Sequence, residues 1–381
     1  MMNFSLDEEH KMFQDLVRKF VAKEIEPIAE EYDRKDEFPM HLWSRMAEVG
    51  LLGLKLPEEY GGVPADNFHL VIASEEIGRA SNGIAASLEV HSYISTPYIN
   101  RLGTKAQKEK YLPASVKGEE IWAIGITEPN AGSDVAGIST RAVEDGDELV
   151  INGSKIFITN GTICSHVIVV CSTEKGRSKA GKSLVIVDKD SPGFSIGRKL
   201  EKLGWRSSDT AELVFEDCRV PKENLLGEHN RGFYHIMHGL VQERLVMAAM
   251  SVGLAQACLD ACMKYARERV QFGKPIGSFQ ATGFKLVDMA TEVNLARLLT
   301  YQAAWLDNIG KDAVTEVSMA RIFASETATK AAVNAVQIFG GYGFMMEYPV
   351  QRYLRDTKVL EIGGGTNEIQ RGIVLQRFGF K

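Results

Sequence analysis

Three consecutive glycines, Gly363, Gly364 and Gly365, stand inside Leu360-Glu-Ile-Gly-Gly-Gly-Thr-Asn-Glu-Ile-Gln-Arg371. Backbone without side chains can bring N–H groups close to a phosphate. Phosphate loops of the P-loop type end in Gly-Lys-Ser/Thr, whereas this run continues Gly-Thr-Asn, so it is not one of them. Either it makes another backbone contact, or it marks a place where a side chain has been given up. A second chemical candidate is Glu243 in Leu240-Val-Gln-Glu-Arg-Leu-Val246. Leu240, Val241, Leu245, Val246 and Met247 would bury it, and burial raises a carboxylate's pKa and makes it a more competent base. The plainer reading is a salt-bridged helix residue. Arg244 points about 100° away around the helix, suited to a structural ion pair or to steadying a loop. Gly132-Ser133-Asp134 reads as a turn.

The elements that must position these groups fall into three zones. With 381 residues and 45% hydrophobic composition, the chain exceeds what one core usually organises. Residues 1–120 read as an N-terminal all-α domain. Ser5 with Glu8 suggests a capping box, followed by an apolar stripe of Phe13, Leu16, Val17, Phe20 and Val21. Further helical segments are expected at 40–50, 67–80, 83–102 and 104–117. Residues 121–232 form a central β domain, a small barrel or sandwich. Seven strands are expected there, at 122–127, 148–152, 155–159, 167–171, 183–188, 195–199 and 211–216. The polar tract 174–182 reads as a hairpin tip. Residues 233–381 form a C-terminal helical-bundle domain, with long helices at 233–268, 280–309 and 313–340. The fold class is therefore α+β multidomain, in the order α, β, α.

Composition excludes several functions. A net charge of -6 gives no basic stripe for nucleic acid or for an anionic membrane surface. No apolar run approaches the roughly 20 residues a bilayer span needs, so no membrane insertion is expected. The acidic start lacks a signal or transit pattern. Cys164, Cys171, Cys218, Cys258 and Cys262 have no paired spacing, which argues against a metal site and for buried thiols in a reducing, cytoplasmic compartment.

Five motifs then occur in order across this architecture: Ile126-Thr-Glu-Pro-Asn-Ala-Gly-Ser-Asp134, Lys155-Ile-Phe-Ile-Thr-Asn160, Arg267-Glu-Arg-Val-Gln-Phe-Gly-Lys-Pro-Ile276, Gln337-Ile-Phe-Gly-Gly-Tyr-Gly343 and Gly365-Thr-Asn-Glu-Ile-Gln-Arg371. Together they resemble the acyl-CoA dehydrogenase family from the first helix to the last. The resemblance implies an FAD enzyme, usually a dimer of dimers, that oxidises the α,β bond of an acyl-CoA thioester. A base takes the α-proton while the β-hydrogen leaves as hydride to flavin N5, so base and flavin face opposite sides of the acyl chain. The thioester oxygen sits between the ribityl 2′-hydroxyl and a backbone N–H. The usual electron acceptor is an electron-transferring flavoprotein.

Carried over by position, Ile126, Thr127, Phe157 and Thr159 resemble the flavin-ring contacts, and Ser133 a contact to CoA. Arg269, Gln271, Phe272, Gln280, Gln337, Gly340 and Gly341 match positions that bind the FAD pyrophosphate and adenosine, partly from a neighbouring subunit. Gly365, Thr366 and Glu368 match a loop near FAD. Most of the family carries its catalytic glutamate where this chain has Gly364. A minority, including isovaleryl-CoA and long-chain acyl-CoA dehydrogenases, places it on a bundle helix directly before an arginine, which makes Glu243 the expected base.

Glu89 and His91 fall where the family lines the floor of the acyl pocket. An acid there would repel the distal carboxylate of a dicarboxylyl-CoA, which makes a glutaryl-type substrate less attractive. Alternatively Glu89 bonds to nearby backbone or water, or supports proton removal further along a cyclic or unsaturated chain. A base on the bundle helix suits branched, ring or long acyl groups, so a branched or cyclic carboxylyl-CoA is favoured. An enoyl-CoA reductase, an acyl-CoA oxidase and a non-catalytic acyl-CoA-binding flavoprotein remain open.

Overall fold

The computed structural model describes residues 6–174 and 180–380. Helix α1 (Glu8–Phe20) starts where Asp7 caps it by accepting from the His10 N–H, with Glu8 and Glu9 complementing the positive helix end. Ser5, expected as the cap, lies outside the described residues. The helix buries Val17, Phe20 and Val21 as expected, but Leu16 stays 43% exposed and His10 is turned inward instead. Then come α2 (Ala29–Lys35), α3 (Leu42–Glu48), α4 (Asn67–Ala80), α5 (Asn82–Leu88), α6 (Thr96–Leu102) and α7 (Lys105–Val116). The single helix expected over 83–102 is loosened at its centre. Between α5 and α6, Glu89–Ser95 form a wide π-type turn, a feature that recurs at functional sites.

The central domain has more strands than expected, and longer ones: β1 (Trp122–Gly125), β2 (Arg141–Asp145), β3 (Glu148–Thr159), β4 (His166–Ser172), β5 (Lys182–Asp188), β6 (Phe194–Lys199), β7 (Thr210–Pro221) and the short β8 (Leu225–Leu226). The expected strands at 148–152 and 155–159 are one strand, β3, bent by irregularities against β7. Strand β2 was hidden by its charges, Arg141, Glu144 and Asp145, which face water. The path runs β6-β7-β3-β2-β4-β5-β8, with β1 parallel to β4. It does not close: β2 and β4 pair only at Arg141 and Ser172, and the two halves fold face to face as a sandwich. Strand β4 is buried on both sides. Val167, Val169 and Cys171 enter the core between the halves, whereas Ile168 and Val170 pack under α6 and α7 with Ile99, Tyr111 and Leu112. The β4–β5 connection is the expected hairpin, closed by Thr173 N–H to Gly181 O at 2.9 Å. Its tip, 175–179, is outside the described residues.

The bundle is built from α8 (Gly232–Glu268), α9 (Gln280–Asn308) and α10 (Val314–Phe339), completed by α11 (Val350–Leu360) and α12 (Asn367–Arg377). A small hairpin, β9 (Val270–Gln271) with β10 (Lys274–Pro275), joins α8 to α9. By length and hydropathy α8 could cross a bilayer, yet 83% of its most apolar window is buried inside the protein, the pattern of a core helix. Helix α4 crosses α8 at backbone distance. A Cβ at Gly253 would meet Glu75 O at 2.1 Å, and one at Gly78 would meet Met250 Cα at 3.0 Å. This contact carries the first zone onto the bundle and holds the Glu89–Ser95 turn over the first half of α8. The five cysteines are buried and unpaired.

Candidate active site

Glu243 sits in the first half of α8 among buried Leu240, Leu245, Val246 and Met247. Burial pushes its carboxyl above the ordinary glutamate value, partly offset by the Arg244 and Arg321 charges. Across from it lies the glycine loop. Gly364 has φ +62°, and a Cβ added there would lie 2.9 Å from Met247 Sδ and 3.1 Å from Glu243 Oε1. The Glu243 carboxylate therefore fills the space into which a side chain at 364 would project, and a glutamate at both positions would collide. The loop is held from behind. Arg244 Nε and Gln370 Nε2 donate to Gly364 O at 3.4 and 3.3 Å, Gln370 also reaches Gly365 O at 3.1 Å, and Arg321 Nη2 reaches Gly363 O at 2.9 Å. Arg244 thus steadies the loop rather than pairing at the surface. Thr366 caps α12 by accepting from Ile369 N–H, and Glu368 lies in that helix's exposed first turn.

Above Glu243, the π-type turn supplies Glu89, which is 3% exposed. Burial raises its carboxyl well above the ordinary value, and repulsion from Glu243 adds to the effect. That rise works against ionisation of Glu89, and so against the repulsion of an anionic acyl tail expected from its residue type. The Tyr93 hydroxyl, one helical turn on, is buried and unpartnered, as is Glu89 Oε1. Gln242 Nε2 ties the turn to α8 by donating to Tyr93 O at 2.5 Å. His91 does not face this space. Its Nδ1 accepts from Trp122 N–H at 3.1 Å and its Nε2 donates to Ser115 O at 3.1 Å. Burial brings its pKa down to about 4, so it is a neutral clip between α7 and β1.

Arg321 escaped the sequence reading. Its neighbours Val317, Ser318, Ala320, Ala324 and Ser325 are the small, buried face of α10, and an arginine on that face was the available signal.

On the β domain, Ile156 N–H donates to Thr127 O at 2.9 Å and Lys155 Nζ to Ile126 O at 3.1 Å, bringing Ile126, Thr127, Phe157 and Thr159 onto one edge. Phe157 lies at a β-bulge with φ +63° and is 66% exposed, an unfavourable conformation for an aromatic residue and one that faces it outward. Ser133 is an exposed turn residue.

The other expected flavin-binding residues are elsewhere. Arg269 follows the C-terminus of α8, roughly 40 Å from Glu243 at about 1.5 Å per residue. With Gln271, Gly340, Gly341 and Tyr342 it lines a shallow cavity of about 410 Å³. Its guanidinium lies 5.3 Å from the Tyr342 ring centroid. A Cβ at Gly340 or Gly341 would meet nothing within 4 Å, so the backbone there is open to a ligand's approach. Phe272 is 94% exposed at φ +52° and meets the Phe279 ring next to Gln280. Gln337 lies exposed in the last turn of α10. The candidates beside Arg269 therefore lie at the far end of α8 from Glu243.

Family models describing the N-terminal, middle and C-terminal domains of acyl-CoA dehydrogenases match residues 7–119, 123–218 and 230–379. The chain belongs to the acyl-CoA dehydrogenase family. This acyl-CoA dehydrogenase is 45% identical to the probable acyl-CoA dehydrogenase YngJ of Bacillus subtilis, covering 99% of both chains. It is 43% identical to an acryloyl-CoA reductase (NADH) of Anaerotignum propionicum, covering 98% of this chain and 95% of that one. It is also 43% identical to a mitochondrial isovaleryl-CoA dehydrogenase of Oryza sativa, covering 97% and 90%. Among solved structures, butyryl-CoA dehydrogenase of Megasphaera elsdenii superposes with a TM-score of 0.96 at 38% identity, over 99% of this chain and all of that one. A chain from a structure of the electron transferring flavoprotein of Acidaminococcus fermentans gives 0.96 at 41%, covering 99% of each. The protein is thus a flavin-dependent oxidoreductase with FAD as its cofactor. The open glycine backbone beside Arg269 and the exposed Phe157 edge fit that group.

Proposed function

We propose that this enzyme dehydrogenates the α,β bond of an acyl-CoA thioester with Glu243 as the base that takes the α-proton. The observation that carries the assignment is the 3.1 Å approach of Glu243 Oε1 to the Cβ position of Gly364. One carboxylate serves the site, delivered from α8 because the loop has no side chain to deliver it. Two acids flank the space, Glu89 buried and Glu243 half-buried, and their surroundings differ. Glu243 faces two arginines, whereas Glu89 faces one arginine and the Glu243 charge, so Glu243 is the one that ionises. FAD, when bound, supplies the acceptor for the β-hydride.

Ile126, Thr127, Phe157 and Thr159 would hold the flavin ring, with Gly365, Thr366 and Glu368 nearby. Arg269, Gln271, Phe272, Gln280, Gln337, Gly340 and Gly341 would hold the pyrophosphate and adenosine of a second subunit's FAD. The roughly 40 Å between Glu243 and Arg269 along α8 supports this, and with it a homotetramer built as a dimer of dimers. Ser133 and Arg244 are assigned to the substrate side, the latter through the Gly364 carbonyl. The electron acceptor is an electron-transferring flavoprotein, and the compartment is the cytoplasm, in keeping with five unpaired thiols.

The substrate is a branched or cyclic carboxylyl-CoA, suited by a base on α8 facing a side-chain-free loop. The likeness to an acryloyl-CoA reductase favours a second reading, in which the same site runs physiologically towards the saturated thioester. Anaerobic mixing of the yellow protein with straight, branched, aromatic-ring-derived and alicyclic CoA thioesters tests both. Bleaching by a branched or alicyclic thioester is the expected result. If no saturated thioester bleaches the flavin, but an enoyl-CoA reoxidises the chemically reduced protein, the reductase direction holds.

A further inference from the structure

Arg321 is 0% exposed, yet only one of its guanidinium nitrogens has a partner. Nη2 donates to Gly363 O, while Nε and Nη1 are buried and unpartnered. Among the described residues it has no carboxylate oxygen within the 4.0 Å of an ion pair. A cation removed from water and left this poorly satisfied is costly, and groups of that kind persist where they serve the site.

Several charged or titratable groups face it. From α8 come Glu243 and Arg244, from the π-type turn Glu89, and from the end of α11 Glu361. Tyr98 of α6 faces Glu243, and Tyr93 faces Glu89. Glu361 is already engaged, with Thr329 Oγ1 at 2.5 Å and Lys358 Nζ at 2.7 Å. Arg244 is turned to Gly364 O. Glu243 and Glu89 have no ion-pair partner among the described residues; Ser74 of α4 faces Glu89, and Arg321 acts on both acids.

We propose that Arg321 is a positioning residue for α-proton removal. It pins the loop facing the base through the Gly363 carbonyl, and its charge directs the single negative charge of the Glu243–Glu89 cluster onto Glu243. Glu89 keeps its proton and acts as a neutral wall of the acyl space. This assignment rests on Glu243 being the base.

The test uses the FAD-loaded enzyme and a thioester that bleaches it, following the bleaching rate against pH. Arg321→Gln retains a donor for Gly363 O but not the charge. Its acid limb is expected to move up by about one pH unit, the size of effect a nearby opposite charge exerts. Arg321→Lys restores the charge and should return the limb towards the parent position. Glu89→Gln, which mimics the neutral acid, should leave the acid limb at the parent position, whatever it does to the plateau rate. A uniform loss of rate in Arg321→Gln with the limb unmoved would reduce Arg321 to a structural role. A displaced limb in Glu89→Gln overturns the proposal independently, even if Arg321→Gln fails to retain flavin. Failure of the base assignment shows separately, as pH-dependent bleaching that survives in Glu243→Gln.

Discussion

Glu128 in the β domain and Glu243 in the bundle are both carboxylates withdrawn from water, but their surroundings are built differently. Glu128 Oε1 accepts from Lys155 Nζ at 2.7 Å and Thr140 N–H at 2.8 Å, and Oε2 from Ser139 N–H at 2.7 Å and Ser139 Oγ at 2.8 Å. Those donors outweigh burial and bring its pKa down to about 2. Glu243 has its arginines at longer range, so burial wins and its carboxyl moves up. Around it Glu89 Oε1, the Tyr93 hydroxyl and two Arg321 nitrogens are left unpartnered. A saturated carboxylate cannot take a proton at neutral pH, and it serves as a clamp. An unsaturated one is left able to take a proton, as the role proposed for Glu243 requires. The two meet functionally, because the Glu128–Lys155 pair fixes the strand edge that carries Ile126, Thr127, Phe157 and Thr159.

The contrast is broken most sharply at the base. Glu243→Gln is expected to lower kcat by about a thousandfold, the scale of a lost general base, with FAD content and melting temperature retained. If turnover survived, Glu243 would be a structural acid like Glu128. At the clamp, Lys155→Met removes one partner of a buried pair and should cost about 3–5 kcal/mol in denaturant unfolding, with loss of bound flavin. A variant that unfolds as readily as the parent would show that the pair is not a clamp.

Gly364→Ala places a Cβ against Met247 Sδ at a positive φ. It should destabilise by about 1–3 kcal/mol and slow bleaching more than it weakens FAD retention. The smallest effect is pH-dependent. The pKa of Glu128 is depressed in the folded state, so its contribution is complete above the ordinary glutamate range and is lost as pH falls from there towards 2. Melting temperature followed across that interval should drop, and the portion due to the clamp should be missing in Lys155→Met.

The long helices were legible because α8, α9 and α10 carry unbroken helical periodicity between clear breakers. The β zone was legible in kind, through β-branched runs, but not in count. Strand β2 is half charged, and the irregularities that join two expected strands into β3 depend on its pairing with β7. The cap of α1 went to Asp7, because cap choice is settled by local backbone geometry that several acidic and hydroxyl residues could satisfy.

By itself the sequence determined the α, β, α order, the family motifs, the absence of a side chain at 364 and the apolar setting of Glu243. Those are properties of residue type and spacing along the chain. Only the tertiary structure brought Gly364 to Glu243, buried Glu89, turned His91 into a clip and set Arg321 behind the loop. It also set the cavity beside Arg269 at the far end of α8 from Glu243. Each of these depends on distances between elements far apart in sequence, and charge, burial and reach are decided by distance in space.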